Sequence, residues 1–325
     1  MTLTRVCHYL SAFARSDPAI FLISLMNYTE SMNREKKDDM PVVFDGHVHI
    51  FSPAVIASVA KRNGLAEVLC LDVEKAANRT DKTALKMEIQ SAGVSGCLLL
   101  PTAPVNAVRR VNDLFLETVS GENELLTAGT LHPSFPDIDD ELDRLSLNNV
   151  RALKFSSFSQ GVDLEAEETF QFFDRIRRHN LSAKPPFFAV FDTFYQADRY
   201  FGAPGKHITT PGKLGRLIKA FPEIDFVAAH MGGLAAPFRE IEEHLYPQAN
   251  LYLETSNAAH VLSRKEFVRL LERHGPEHVI FGTDWPWFGH AEEIPLIQGL
   301  LEEAAFSPQQ RALVFSGNIA RFLHN

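Results

Sequence analysis

Eight short apolar segments between residues 42 and 281, separated by amphipathic stretches, constrain the fold more than any other feature of the chain. The intervening stretches carry apolar residues at spacings of three and four, which is typical of helices that cover a sheet. Strands that alternate regularly with helices predict parallel β-α units. The pattern therefore predicts a (β/α)₈ TIM barrel with strands at Val42 to Phe44, Cys97 to Leu100, Leu126 to Leu131, Ala152 to Phe155, Phe187 to Phe191, Phe226 to Ala229, Leu251 to Leu253 and Val279 to Phe281.

Polar and ionisable residues stand at or just after the ends of these strands. In a barrel the carboxyl ends of the strands meet at one rim, and active sites form there. So many ionisable side chains would be costly to bury at one rim without partners. A shared metal ion would be such a partner for the set His47, His49, His132, Lys154, Asp192, His230, Glu254 and Asp284.

The segment Asp45-Gly46-His47-Val48-His49 places two histidines two residues apart at the end of the first strand. Strand periodicity points both side chains to one face. Neutral imidazoles suit Zn²⁺, Fe²⁺ or Mn²⁺. Taken alone, the pair is just as typical of two hydrogen-bonded or exposed histidines.

Two other strand ends strengthen the metal hypothesis. His230 ends an apolar strand before two glycines, and Asp284 closes the last strand. A histidine there can bind metal, act as a base or polarise a carbonyl, and a carboxylate can bind metal and accept a proton from water. Taken alone, His230 is more typical of a core histidine bonded to backbone, and Asp284 of a capping aspartate. Together with the first histidine pair they predict a metal site.

These motifs resemble those of the amidohydrolase superfamily, in the branch related to aminocarboxymuconate semialdehyde decarboxylase and to several lactonases. The resemblance runs from about Val42 to the end of the chain. It rests on Asp-Gly-His-Val-His, on Ala152-Leu153-Lys154-Phe155, on Ala229-His230-Met231-Gly232-Gly233, on Ile280-Phe281-Gly282-Thr283-Asp284-Trp285-Pro286 and on Gly317-Asn318-Ile319-Ala320-Arg321-Phe322-Leu323. It implies one divalent metal ion, with Zn²⁺ preferred over Mn²⁺, bound by His47, His49 and Asp284. It also implies that His230 assists the reacting water or substrate.

Asp192 stands where the family has a metal-binding histidine after the fifth strand. As a fourth ligand it would give a set of two histidines and two aspartates, which suits Mn²⁺ and Zn²⁺ about equally. The alternative is that Asp192 orients the substrate.

Lys154 follows the fourth strand, where some amidohydrolases carry a carboxylated lysine that bridges two metals. The preferred interpretation is an uncarboxylated catalytic lysine that binds a carboxylate or carbonyl oxygen of the substrate. A bridging ligand and a structural ion pair remain open. For Glu254 and His132 a hydrogen-bonded structural role is expected.

Aromatic residues near the rim, among them Phe51 and Trp285, are expected to bind a planar or unsaturated carboxylate substrate. Simple packing of long loops is the alternative. The segment from Phe194 to Thr210 is expected to be a long loop of the kind that often acts as a lid.

The composition of the chain limits the kinds of partner that it can bind. The formal net charge of −9 argues against a nucleic-acid-binding surface, which needs clustered Lys and Arg. Only three cysteines occur, without C-x-x-C spacing, so a reducing cytoplasmic setting is expected. The apolar run from Pro18 to Met26 is too short to span a bilayer. A small-molecule substrate and no membrane contact are therefore predicted, and the resemblance to the amidohydrolase branch implies a possible homodimer.

Residues 1–40 end in a charged stretch and are expected to form an N-terminal extension, whereas residues 41–325 form the barrel. Two interpretations of the extension remain open: a helix packed on the barrel, or a true start at Met32 or Met40.

The resulting prediction is a metal-dependent hydrolase that activates water against a lactone, amide or ester, with a carboxylate group on the substrate. The alternative is a metal-dependent decarboxylase or hydratase of an unsaturated or aromatic carboxylic acid. A barrel that binds metal or ligand without turnover is a third hypothesis, which Asp192 motivates.

Overall fold

The computed structural model describes residues 41–182 and 185–324, so the predicted N-terminal extension at residues 1–40 lies outside the described residues. Residues 42–325 form one compact unit. Its strands are β1 (Val43–Val48), β2 (Val94–Leu99), β3 (Leu125–Thr127), β4 (Gly129–Thr130), β5 (Ala152–Phe155), β6 (Phe188–Phe191), β7 (Phe226–Ala228), β8 (Leu251–Glu254) and β9 (Val279–Ile280).

These strands close into a barrel in which every neighbouring pair is parallel. β3 and β4 are successive parts of one strand interrupted at Ala128, whose N–H donates to the carbonyl of Leu99 at 2.8 Å. The last strand returns to the first: the N–H of Gly46 donates to Phe281 O at 2.9 Å, and that of His49 to Trp285 O at 2.7 Å. The predicted (β/α)₈ barrel is confirmed, with a broken third strand that the sequence pattern did not indicate.

Helices follow the strands around the outside, as the three- and four-residue spacing predicted. The α-helices are Pro53–Ala60, Leu65–Val68, Val73–Ala76, Lys82–Ala92, Val108–Val119, Ile138–Leu147, Ser157–Gln160, Glu167–Ser182, Ala197–Phe201, Pro211–Ala220, Phe238–His244, Ala258–Val261, Arg264–His274, His290–Glu303, Pro308–Ala312 and Asn318–His324. Among these, no helix is long and apolar enough to cross a membrane.

Side chains of β5 alternate between the two sides of the barrel wall. Leu153 and Phe155 join the large apolar cluster between strands and helices, whereas Ala152 joins the smaller cluster inside the barrel. Because side chains two residues apart share a face, Lys154 points into the barrel with Ala152. The aromatic ring of Phe322, from the last helix, packs 4.8 Å from that of Phe188 and closes the amino end of the barrel.

Two segments outside the barrel wall contribute most of a second apolar cluster, and we call them the cap: residues 51–76 and residues 194–210. Leu234, Trp287 and Phe288, from loops that follow barrel strands, complete the cluster. Ile56, Val59 and Leu65 of the first segment are buried in the same cluster as Phe194 and Tyr200 of the second. The second segment contains the short helix Ala197–Phe201 and the 3₁₀ turn Gly205–His207, so it is more ordered than the loop expected from sequence.

Candidate metal centre and active-site cavity

Three predicted ligands converge at the carboxyl end of the barrel. Nε2 of His47 lies 3.0 Å from Nε2 of His49, and the two nitrogens lie 3.8 and 3.5 Å from Oδ1 of Asp284. Atoms bound to one ion at about 2.1 Å are separated by roughly 3.0 to 3.5 Å at ordinary coordination angles. The spacing of these three atoms therefore suits a single divalent ion.

The hydrogen bonds of the two histidines also fit a metal. Nδ1 of His47 donates to Oε2 of Glu254 at 2.7 Å, and Nδ1 of His49 donates to the carbonyl of Leu100 at 3.1 Å. Each ring thus carries its proton on Nδ1 and turns a bare Nε2 toward the other ring. Two lone pairs facing each other at 3.0 Å repel unless a cation lies between them. An N–H held from behind by a carboxylate or carbonyl is the usual arrangement of metal-binding histidines.

Glu254 occupies the space behind His47. Its carboxylate also accepts hydrogen bonds from the N–H of Ser256 at 2.6 Å and from its hydroxyl at 2.7 Å. Gly282 makes this approach possible, because a Cβ there would collide with Glu254 and would lie 2.7 Å from Cβ of His47. The hydrogen-bonding role expected for Glu254 is what its contacts show.

His230 and Asp192 face each other beside the ligand group. Nδ1 of His230 donates to the carbonyl of Ser256 at 2.9 Å, so its Nε2 is unprotonated in the neutral ring. That Nε2 lies 3.8 Å from Oδ1 of Asp192. The carboxylate of Asp192 also accepts hydrogen bonds from the Ser156 hydroxyl at 2.8 Å and the Phe194 N–H at 3.1 Å.

Asp192 is a member of neither group of side chains that could share an ion within residues 41–182 and 185–324. The structure brings it to His230 instead, and its role as a metal ligand stays a prediction. The second such group joins His47, His230 and Glu254.

Lys154 is buried in the barrel with its Nζ 3.5 Å from Nε2 of His47. No carboxylate of the described chain lies within 4.0 Å of this ammonium group. Burial lowers the pKa of Lys154, although the charges of Asp192, Glu254 and Asp284 oppose that effect. The structural ion pair considered from sequence is therefore not formed among these residues.

Burial is also the largest influence on the pKa values of the three predicted metal ligands. It holds the pKa of His47 and His49 well below the usual value, which keeps both rings neutral and able to bind metal. Burial likewise raises the pKa of Asp284 well above its usual value, and the charge of Glu254 adds to that effect. A divalent cation beside Asp284 would counteract this shift, because an opposite charge favours the ionised carboxylate.

Three residues at strand ends adopt left-handed backbone conformations that non-glycine residues rarely take: His230 with φ 55°, Asn257 with φ 56° and Asp284 with φ 64°. Such strain costs of order 1–3 kcal/mol per residue and concentrates at functional sites. Here it turns side chains from the direction of the strand toward the centre of the rim.

A cavity of about 810 Å³ opens onto these groups. Aromatic side chains from the rim and the cap line it, namely Phe51, Phe115, Phe158, Phe194, Phe201 and Trp287. The ring of Phe51 stacks on His49 with centroids 4.7 Å apart, so this predicted substrate residue stands beside the ligand group.

Trp285 is not brought to the lining of this cavity. Its side chain is fully buried, and its indole N–H donates to Oε2 of Glu88 at 3.0 Å. Trp287 lines the cavity in its place. His132 lies elsewhere too, with Nε2 3.1 Å from the carbonyl of Gln160.

Sequence reasoning missed Arg110 and Asn257, which line the same cavity. Arg110 belongs to an exposed helix face, where a charge is usually a solvated surface group, so no signal separated it from its neighbours. Asn257 could have been noticed because it follows the polar end of β8.

Comparison with known structures finds proteins that share this fold. A variant of 5-carboxyvanillate decarboxylase from Novosphingobium aromaticivorans with bound manganese is 13% identical, with a TM-score of 0.62 and coverage of 88% of this chain and 98% of that one. An amidohydrolase from Burkholderia multivorans with bound zinc is also 13% identical, with a TM-score of 0.62 and coverage of 87% and 99%. A putative 2-pyrone-4,6-dicarboxylic acid hydrolase from Pseudomonas putida is 16% identical, with a TM-score of 0.56 and coverage of 87% and 98%. At these identities the likeness establishes the fold.

A search of curated proteins finds no match to this sequence. The sequence model of a protein family, in contrast, matches almost the whole barrel. It is described as amidohydrolase and covers residues 45–324, a range that includes the histidines of β1, His230 and Asp284. The chain therefore belongs to the amidohydrolase family and is an enzyme of that superfamily.

Proposed function

We propose that this enzyme hydrolyses a small carboxylate-bearing lactone, amide or ester at a single divalent metal ion. The observation that carries the proposal is the pairing of a three-ligand group with an unprotonated Nε2 of His230 at the same rim. Catalytic metal sites typically use three protein ligands and leave a position open for water or substrate.

His47, His49 and Asp284 would hold the ion, and imidazole with carboxylate suits Zn²⁺ or Mn²⁺. A divalent ion held there polarises a carbonyl and makes a nearby water more acidic. Zinc and manganese each occur in a structurally similar protein, which supports both ions.

His230 would accept the proton of the attacking water at Nε2. Its Nδ1 is fixed by the carbonyl of Ser256, so the ring cannot turn the wrong nitrogen toward the water. Asp192, 3.8 Å from Nε2, would stabilise the imidazolium that forms. His230 can then return this proton to the leaving oxygen or nitrogen. General acid and base catalysis of this kind contributes about 10² to 10⁴ in rate.

Lys154 would bind the substrate carboxylate. It is a buried cation without a carboxylate partner among the described residues, and an anionic substrate would supply one. Arg110 offers a second positive charge in the lining of the cavity. The aromatic side chains that line the cavity would hold a planar substrate by stacking.

A decarboxylase is the second candidate, and the aromatic lining of the cavity favours it. A structurally similar protein is a decarboxylase of an aromatic acid. In that reaction a carboxylate leaves as CO₂ and the carbon that carried it takes up a proton. His230, in its protonated form beside Asp192, would be the donor of that proton.

A substrate panel separates the two reactions. Purified protein reconstituted with Zn²⁺ or Mn²⁺ is assayed on carboxylate-bearing lactones and esters by proton release, on carboxylate-bearing amides by release of the amine, and on aromatic and muconate-type acids by CO₂ release. We expect proton release that disappears in the variants His47→Ala and His230→Gln, whereas His132→Ala, a histidine outside the cavity, retains it. CO₂ release without hydrolysis of any ester, amide or lactone would contradict the proposed hydrolase and support the lyase.

A further inference from the structure

A chain of buried polar contacts runs behind the metal centre and ends at Asp45, two residues before His47. The carboxylate of Asp45 is fully buried. Its Oδ1 accepts hydrogen bonds from the N–H of His47 at 2.8 Å and of Thr283 at 3.1 Å, and its Oδ2 accepts one from the Thr283 hydroxyl at 2.5 Å. Asp45 thus ties the backbone of one ligand, His47, to the residue immediately before another, Asp284.

His290 is the partner that balances the charge of Asp45. Its side chain has no exposed surface, and its Nε2 lies 2.9 Å from Oδ2 of Asp45 in an ion pair. On the other side of the ring, Nδ1 lies 3.3 Å from Oε1 of Glu88, which also accepts the backbone N–H of His290 at 3.0 Å. The imidazole therefore bridges two carboxylates.

Glu88 connects this pair to the surface and to the segment after Asp284. It accepts the indole N–H of Trp285 at 3.0 Å and pairs with Nε of Arg79 at 3.1 Å. Although burial opposes the charged ring, the carboxylates of Asp45 and Glu88 raise the pKa of His290 to about 9. Carboxylates thus hold this imidazolium at both ring nitrogens.

Removing the imidazolium would leave the buried carboxylate of Asp45 without its ion-pair partner, a situation that proteins relieve by rearrangement. A rearranged Asp45 would weaken the hydrogen bonds from His47 and Thr283. Together with the N–H of Asp284, which donates to the carbonyl of His47 at 3.0 Å, those bonds hold the end of β1 beside the loop that carries Asp284. Outer residues that orient ligands typically change metal affinity by 10- to 100-fold when they are mutated.

We propose that His290 is a positioning residue of the metal centre, which acts through Asp45 to hold the strand ends that carry His47 and Asp284 at the spacing a metal ion requires. This inference concerns the support of the site and goes beyond the proposed hydrolysis, since it applies to whichever reaction the enzyme catalyses.

The test measures the affinity of the purified full chain for Zn²⁺ by competition with a chelator, so no substrate is needed. We expect His290→Gln to lower the affinity by about 10-fold or more. The matched control is His260→Gln. His260 also pairs with a buried carboxylate, that of Glu293, which lies on the same helix as His290. Nε2 of His260 lies 2.7 Å from Oε1 of Glu293, and His260 has no contact with Asp45. The affinity of the His260→Gln variant for Zn²⁺ should stay within twofold of the wild type.

Urea unfolding of the metal-free proteins separates positioning from simple destabilisation. His290→Gln loses a buried ion pair and His260→Gln loses a part-buried hydrogen bond to Glu293, so both should be destabilised, but only His290→Gln should lose metal affinity. Equal affinities in the two variants, whether both retained or both reduced, would overturn the proposal. If His290→Gln does not fold, Glu88→Gln takes its place: we expect a loss of affinity in the same direction, and an unchanged affinity would overturn the proposal as well.

Discussion

At the scale of single residues, a buried cation, Lys154, lies beside the group of metal ligands. Lys154 lies 3.5 Å from Nε2 of His47, where an ammonium group and a metal ion would repel each other. An anionic substrate group between them would relieve that repulsion. Lys154 is therefore suited to bind substrate and unsuited to help hold the metal.

Replacing Lys154 by Met removes the charge while keeping a long apolar stem. We expect KM for a carboxylate-bearing substrate to rise about 10- to 100-fold, because a hydrogen bond to a charged group contributes roughly 1.5–3 kcal/mol. KM for an analogue of the same substrate without the carboxylate group should change much less. Zinc stoichiometry should be retained in Lys154→Met. A loss of bound metal in this variant would instead indicate a carboxylated lysine that bridges two ions.

Asp192 allows the predicted ligand role to be tested against its observed contact with His230. In Asp192→Asn we expect metal stoichiometry to be unchanged and kcat to fall about tenfold or more. The charge of Asp192 raises the pKa of His230 against the larger effect of burial, so removing that charge lowers this pKa. The acidic limb of the kcat profile should therefore move to lower pH. Loss of metal from Asp192→Asn would establish it as a ligand.

At the scale of elements, the close contact between β8 and β9 depends on Gly282. A Cβ at this position would collide with the carboxylate of Glu254, which holds Nδ1 of His47. In Gly282→Ala we expect a loss of about 1–3 kcal/mol in the free energy of unfolding, as in other overpacked sites. The affinity for Zn²⁺ should also fall, because Glu254 must move away from His47.

The control for this prediction is Gly205→Ala, since a Cβ at Gly205 would meet no atom of the described part of the chain within 4 Å. Urea unfolding and chelator competition should leave this control close to the wild type. If Gly282→Ala destabilises the protein but retains full affinity for Zn²⁺, Glu254 does not orient the ligand.

The strand ends also explain how much the sequence could predict. His47 and His49 could be assigned to one face because they stand two residues apart within or next to β1, and side chains two residues apart along a strand share a face. Trp285 could not, because it follows Asp284, whose left-handed backbone ends that alternation and buries the indole against Glu88. Contacts between distant segments, such as His230 with Asp192 or His290 with Asp45, leave no periodic signal in the chain.

At the scale of the whole molecule, the cap and the barrel have separate apolar clusters. The barrel wall is closed by strand pairing all the way round, whereas the two segments of the cap meet through side chains. Regions with fewer such constraints open locally at lower free energy than the core. The access to the cavity can therefore change while the ligand group at the strand ends keeps its geometry.

Arg62 joins the two segments of the cap. Its Nη1 donates to the carbonyl of Tyr200 at 2.6 Å, and its guanidinium lies 4.2 Å from the centre of the Phe201 ring. In Arg62→Ala we expect the cap to open more often, with amide hydrogen exchange in residues 197–203 about 5- to 30-fold faster for a loss of about 1–2 kcal/mol.

This change should be confined to the cap. The amides of β5 to β8 should exchange as in the wild type, and the melting temperature should move little, because the barrel core contains neither Arg62 nor its partners. Arg239→Ala is the control, since that side chain is 90% exposed and its one ion pair within residues 41–182 and 185–324 is with Glu243 on its own helix. Faster exchange throughout the barrel in Arg62→Ala would mean that cap and barrel unfold as one unit, and substrate entry would then need another route.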